Sequence, residues 1–328
     1  MTSLQLDRYL PPDLLKNALR ADAREGLTAA PKRIPSKWLF DSKGSELWGK
    51  ITQLPEYYPF RAERDILQTV ADEIAATTQA SSVIELGSGF ADKIIILLHA
   101  LRRAGTIRTY TSIDISELSL MAAGSRLIAE YPDLSVRAVL ADFETQAEVI
   151  AKYDYPSPRL VLFLGGTIGQ FTPAQRAEFL RKLHSVFRQD DMLLLGVDLV
   201  KDPAELMLAY DDPAGVSTAF NKNLLAVLNA QVGADFDLDT FDYIVTWDDE
   251  AERLAMWEES RIDQAVRLSE IDLSVKLAAG ERIWTAISTK FRRDGIEAEL
   301  DHAGFSPQRW WTDPDGRYAL SLSRLVTD

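Results

Sequence analysis

The strongest constraint on this chain is a glycine turn set between two apolar runs. Val83-Ile84-Glu85-Leu86 ends in Gly87-Ser88-Gly89, and an apolar run over residues 94–101 begins directly after Lys93. A short β-branched run, a glycine turn and a longer apolar run predict a buried strand, a tight turn and a helix N-terminus. Glycine carries no Cβ, so the backbone N–H groups of such a turn can approach a ligand closely. Four more apolar segments follow at regular spacing, over residues 110–113, 135–140, 160–164 and 192–197. They end in Asp114, in Asp142-Phe143, in Gly165-Gly166-Thr167 and in Asp198. Helical runs separate them. Strands alternating with helices predict an α/β fold with a parallel, doubly wound sheet and a ligand beyond the C-terminal ends of its strands. A dinucleotide fingerprint would need a third glycine where Asp92 stands, which argues against an NAD-dependent oxidoreductase.

The 328 residues suffice for one large domain or two ordinary ones. No run approaches the roughly 20 apolar residues of a membrane span. The N-terminus lacks a basic region followed by an apolar core, so no secretory signal is expected. There is no cysteine, which excludes disulfides and thiolate catalysis and fits a cytoplasmic location. The net charge, 36 − 50 = −14, disfavours nucleic acid and anionic membranes as partners. No repeat or low-complexity tract is visible.

Residues 1–60 do not read as part of the sheet. They hold a helical run over 13–24 and aromatic segments broken by proline, which predicts an irregular layer or lid. A helix over 61–75 enters the core. After the fifth strand, residues 200–285 interrupt the alternation. They offer helices over 203–210 and 214–232, then half-buried antiparallel strands over 266–268 and 271–277, with a third strand over 282–290. A helix over 294–303 and a hairpin around Asp313-Pro314-Asp315-Gly316 complete the chain as an antiparallel edge. The expected domains are 61–199 plus 286–328 for the sheet, and 1–60 plus 200–285 for a second, α+β, substrate-binding domain.

An acidic residue closing the second strand and an Asp closing the third look like class I S-adenosylmethionine (SAM) methyltransferases. Longer motifs narrow the likeness. Leu54-Pro55-Glu56-Tyr57-Tyr58-Pro59 precedes the glycine turn, and Phe163-Leu164-Gly165-Gly166-Thr167-Ile168-Gly169 follows the fourth strand. Asp198-Leu199-Val200-Lys201-Asp202 follows the fifth. Ala209-Tyr210-Asp211-Asp212-Pro213-Ala214-Gly215-Val216 leads to Phe220-Asn221, and Trp310-Trp311-Thr312-Asp313-Pro314 lies near the end. Together they resemble the histidine α-N-methyltransferase family of ergothioneine biosynthesis. The resemblance implies a class I methyltransferase sheet, SAM as cofactor, no metal, and a free amino acid held between two domains of a monomer. It implies SAM contacts from Gly87, Lys93, Asp114, Asp142 and Phe143. It places Tyr57 at the amino group as the orienting catalytic hydroxyl and Tyr210 at the substrate carboxylate. Phe220, Met256 and Ser288 would surround the side chain.

Three positions depart from the family pattern. Gln170 replaces an Asn that reads the substrate backbone, Phe40 replaces a Tyr, and Ala286 replaces a Glu. In the family that Tyr and Glu grip the imidazole. An unsatisfied buried polar group costs roughly 1–3 kcal/mol, so two such losses weaken histidine binding by on the order of 10²–10³-fold. The pocket becomes larger and more apolar. The expectation from these residues is therefore an aromatic or apolar amino acid, tryptophan first, methylated in steps to the trimethyl betaine. The alternative is L-histidine itself, held by other groups such as Ser288.

Overall fold

The computed structural model describes residues 4–89 and 91–326, with the side chain of Pro12 left aside. In chain order its elements are β1 (Gln5–Arg8), α1 (Pro12–Thr28), β2 (Lys32–Arg33), α2 (Ser42–Ile51), α3 (Tyr58–Thr78), β3 (Ser82–Leu86), α4 (Ile94–Arg103) and β4 (Thr109–Asp114). There follow α5 (Glu117–Glu130), β5 (Ser135–Leu140), β6 (Arg159–Phe163), α6 (Pro173–Val186), β7 (Met192–Asp198), α7 (Pro203–Tyr210) and α8 (Val216–Val232). The last are β8 (Phe241–Asp248), β9 (Arg253–Ser260), β10 (Gln264–Leu268), β11 (Leu273–Leu277), β12 (Arg282–Thr289), α9 (Arg293–His302), β13 (Phe305–Thr312) and β14 (Tyr318–Leu325). The chain divides into two compact units. The first is Met1–Tyr9, Pro59–Val200 and Thr289–Asp328; the second is Leu10–Tyr58 and Lys201–Ser288.

The first unit is built on an eight-stranded sheet in the order β1-β5-β4-β3-β6-β7-β14-β13. The strands from β1 to β7 run parallel, and β14 pairs antiparallel with both β7 and β13. Every residue of β3 and of β6 is buried, because helices cover both faces. Their unbroken apolar runs follow from that double burial. On one face Val83 and Leu162 join Leu67, Leu98 and Leu127; on the other Ile84 and Val161 join Phe179, Leu183 and Leu300. After β3 the chain builds outward to β4 and β5, then returns to place β6 on the other side of β3. That reversal opens a crevice at the C-terminal ends of β3 and β6, where sheets of this kind hold ligands.

The second unit has a four-stranded sheet, β2-β12-β9-β8, a two-stranded ribbon of β10 and β11, and the helices α1, α2, α7 and α8. Helix α8 is its centre. It buries Phe220, Leu224, Leu225 and Leu228, a stripe at helical spacing. Asp212 caps its start by accepting from the N–H groups of Val216 at 3.0 Å and Ser217 at 2.7 Å. Gly233 ends it at a φ of +63°, a left-handed conformation that glycine adopts without strain.

Three expectations need correction. Residues 5–8 do enter the large sheet, as an edge strand beside β5; only four residues long and largely polar, this strand carries no apolar run. Residues 286–288 belong with the second unit, because β12 pairs with β2 and continues that unit's sheet. The antiparallel pair of β8 and β9 went unread, since Leu254-Ala255-Met256-Trp257 is continuously apolar and hides the period of two.

Candidate active site

The glycine turn has the geometry that its residues require. Gly87 and Gly89 take φ values of +75° and +53°, which side chains rarely adopt. A Cβ on Gly87 would lie 3.6 Å from the ring of Phe143, so the turn and the end of β5 adjoin. Phe143 stands edge-on to Phe163 at 5.6 Å. Asp142 accepts from the N–H of Glu144 at 3.0 Å, and its own N–H donates to Gln146 at 3.0 Å. Asp114 ends β4 and accepts from the N–H of Ser116 at 2.8 Å. Desolvation pushes its carboxyl above the usual range, while backbone N–H groups of Ser116, Gly89 and Ser88 pull the other way. The carboxylate therefore already faces the backbone of the glycine turn. Inside the strand, Glu85 is pushed up to about 8 by burial and accepts from the Tyr110 hydroxyl at 2.5 Å.

Lys93 stands directly before α4 and pairs with the carboxylate of Glu63 on α3. The same carboxylate accepts from the N–H of Gly165, 2.8 Å away. Gly165 and Gly166 turn the chain with φ values of +77° and +68° into the short helical turn that carries Gln170. Gly87, Lys93, Asp114, Asp142, Phe143 and Gln170 all belong to the first unit.

The seven remaining predicted residues lie in the second unit, and five of them, with Trp48, form one chain of contacts. Phe40 meets Phe220 edge-on at 5.5 Å and Trp48 at 5.8 Å. Trp48 meets Tyr57 at 5.4 Å, and Tyr57 meets Tyr210 at 5.8 Å. The Tyr210 hydroxyl is 2.9 Å from Ser288 Oγ. Local chemistry sets this up. Asp41 caps α2 by accepting from Gly44 N–H at 2.7 Å and also takes the Asn223 amide of α8 at 2.8 Å. That clamp holds Phe40, its neighbour, against Phe220. The Tyr243 hydroxyl donates to the Tyr210 carbonyl at 2.9 Å and fixes the end of α7. Met256 is buried on β9, and the Ala286 carbonyl on β12 accepts from Trp284 at 2.8 Å.

Two residues of this arrangement were not predicted. Trp48 links Phe40 to Tyr57; a lone tryptophan closing the Gly44-Ser45-Glu46-Leu47-Trp48 segment is its only signal in the sequence. Glu63 shares the buried face of α3 with Leu67, Val70 and Ile74, so a charge on an apolar stripe could have marked it. Glu258, two residues beyond Met256 on the same face of β9, is fully buried, and neither oxygen has a hydrogen-bond partner among the described residues. Burial pushes its carboxyl up to about 8, opposed by the charge of Lys222. His99, His184 and His302 lie on α4, α6 and α9. Among the described residues there is no His, Cys, Asp and Glu cluster able to hold a metal, and no helix long and apolar enough to cross a membrane.

Residues 19–325 match the family model described as histidine-specific methyltransferase, SAM-dependent. The chain is 48% identical to a histidine N-alpha-methyltransferase of Mycolicibacterium smegmatis, over 98% of this chain and 99% of that one. It is 45% identical to the histidine N-alpha-methyltransferase of Mycobacterium tuberculosis, over 96% and 97% of the two. A more distant relative, 27% identical over 92% of this chain and 91% of its own, is an L-tryptophan methyltransferase of Psilocybe serbica.

Proposed function

This chain belongs to the family of histidine-specific, SAM-dependent methyltransferases, and on that premise we propose that its substrate is free L-histidine, methylated on the α-amino nitrogen. The chain is a SAM-dependent amino-acid N-methyltransferase; the choice of histidine is the proposal. The observation that carries it is the similarity to histidine N-alpha-methyltransferases along nearly the whole chain. It favours histidine over the apolar amino acid expected from Phe40 and Ala286 alone. The bonded hydroxyls of Tyr210 and Ser288 support it physically. A hydroxyl both donates and accepts, so Ser288, held by the Tyr210 hydroxyl, can serve an imidazole nitrogen that has no carboxylate at position 286.

The cofactor-side residues suit SAM. The turn at Gly87 and Gly89 leaves open the space that side chains would fill, Asp114 offers an acceptor for ribose hydroxyls, and Phe143 offers a ring beside Asp142. When bound, SAM supplies an electrophilic methyl group on sulfur. The protein's part is binding and orientation. Tyr57, with its ring packed between Trp48 and Tyr210, would hold the amine by its hydroxyl, and the amine must reach the neutral form to act as nucleophile. The aromatic faces of Phe40, Trp48, Tyr57 and Phe220 suit a methylated ammonium product through cation–π attraction, which favours successive transfers.

A second reading rests on one observation. Phe40 and Ala286 carry no polar side-chain group, and the aromatic chain around Phe40 suits an indole or phenyl ring. Purified protein incubated with SAM and each of the twenty amino acids, with kcat/KM compared between histidine, tryptophan, phenylalanine and tyrosine, tests both. Histidine leading by tenfold or more upholds the first reading; tryptophan leading replaces it with the second.

A further inference from the structure

Glu63 is fully buried in the first unit, yet it joins three separate parts of that unit. Its Oε2 pairs with Lys93 Nζ at the start of α4. Its Oε1 accepts from Gly165 N–H after β6, at 2.8 Å, and from the Tyr318 hydroxyl at the start of β14, also at 2.8 Å. A second observation shows that space is kept for this carboxylate. Gly196, inside β7, has an ordinary strand conformation, so nothing in its backbone demands glycine. A Cβ there would collide with Glu63 Oε1 and reach 2.7 Å from the Tyr318 hydroxyl. The Lys93 ammonium also lies 5.2 Å over the ring of Phe60. An isolated buried carboxylate is strongly disfavoured; here an ammonium, an N–H and a hydroxyl compensate it.

We propose that Glu63 is a positioning residue for SAM, acting through Lys93. The carboxylate holds the ammonium at the start of α4, four residues past Gly89, and fixes the Gly165 backbone on the opposite side of the crevice between β3 and β6. SAM carries one carboxylate, and Lys93 is the cation beside the glycine turn. A lysine ammonium has three donors, so its pair with Glu63 is compatible with a second carboxylate. Without Glu63 the four-carbon stem of Lys93 would be free to choose among rotamers, and binding would have to order it. The inference rests on the reading of Lys93 as a cofactor contact.

Calorimetric titration of the full-length protein with S-adenosylhomocysteine tests it, using Glu63→Gln, Lys93→Met and the double variant. Each single change should weaken binding tenfold or more, and the double variant should bind no more weakly than Lys93→Met alone. In turnover, Glu63→Gln should raise KM for SAM more than it lowers kcat, with KM for the amino acid nearly constant. Additive losses in the double variant, or an unchanged affinity in Glu63→Gln, would overturn the proposal. Unchanged affinity in Lys93→Met would instead remove Lys93 from the site, a different failure. Should Glu63→Gln not fold, Tyr318→Phe removes one support of the carboxylate and spares the ion pair. It should weaken binding two- to fivefold in the wild-type background and not at all in Lys93→Met; equal weakening in both backgrounds would sink the idea.

Discussion

Replacing Glu258 by methionine should make the protein more stable, by an amount that grows with pH. The side chain is fully buried on β9, and neither oxygen has a hydrogen-bond partner among the described residues. Protonated, it is an unsatisfied polar group costing about 1–3 kcal/mol. Its carboxyl is pushed up to about 8 from 4.5. Because the folded form holds the proton more tightly than the unfolded one, the contribution to stability is largest below pH 4.5. It declines as pH rises and is fully lost above about 8. At 1.36 kcal/mol per pH unit, the decline is roughly 3 kcal/mol by neutrality and on the order of 5 kcal/mol at its limit. Methionine has similar length and no group to desolvate. Urea unfolding of both proteins at pH 5.5, 7 and 8.5 checks this, followed by tryptophan fluorescence, to which Trp257 and Trp284, stacked 5.9 Å apart in the second unit, contribute. The gap should widen by about 2–4 kcal/mol from the lowest to the highest pH. Parallel curves would mean that Glu258 finds a partner when ionised, and the reasoning would be refuted.

Other outcomes follow from the site. Asp114→Ala should weaken SAM binding by about 1.5–3 kcal/mol, as for hydrogen bonds to a charged group; unchanged affinity by calorimetry would exclude Asp114. Phe40→Tyr with Ala286→Glu should raise kcat/KM for histidine relative to tryptophan by at least tenfold, because a buried carboxylate disfavours an apolar ring; an unmoved ratio would place the side-chain pocket elsewhere. Histamine should be turned over far less efficiently than histidine, since the family resemblance puts Tyr210 at the substrate carboxylate; equal rates would remove that role. Gly196→Ala should lower the melting temperature and weaken S-adenosylhomocysteine binding together, because overpacking costs about 1–3 kcal/mol and falls on Glu63; a loss of stability with intact binding would separate the two.

Much of the first unit could be read from the chain because its strands are buried on both faces. β3 and β6 are plain apolar runs, and the residues that end them fall where the crevice forms. The same logic failed at β1, where four largely polar residues gain strand structure only by pairing with β5. The candidate site shows a similar division. Gly87, Asp114 and Asp142 lie at strand ends and announce themselves. Glu63 does not, since its partners Lys93, Gly165 and Tyr318 are 30, 102 and 255 residues away along the chain. Phe40 and Trp48 were visible as aromatics, but only the Asp41 clamp to Asn223 brings them to α8.

The pairing of β7 with β14 matches Asp198 with Tyr318. On the ribosome, β7 therefore emerges well before the strand that completes its outer edge. At roughly 5–20 residues per second the interval is about 6–24 s. Throughout it, a strand as apolar as Met192-Leu193-Leu194-Leu195 presents open N–H and C=O groups on one side, a template for pairing with another chain. The segment made during that wait is the bulk of the second unit, with α8 and its own sheet, so that unit can fold while the larger sheet is still unfinished. Yield in cells should thus depend on how quickly translation runs from position 199 to 325. Slow codons there, which change no residue of the finished enzyme, would leave more of it aggregated.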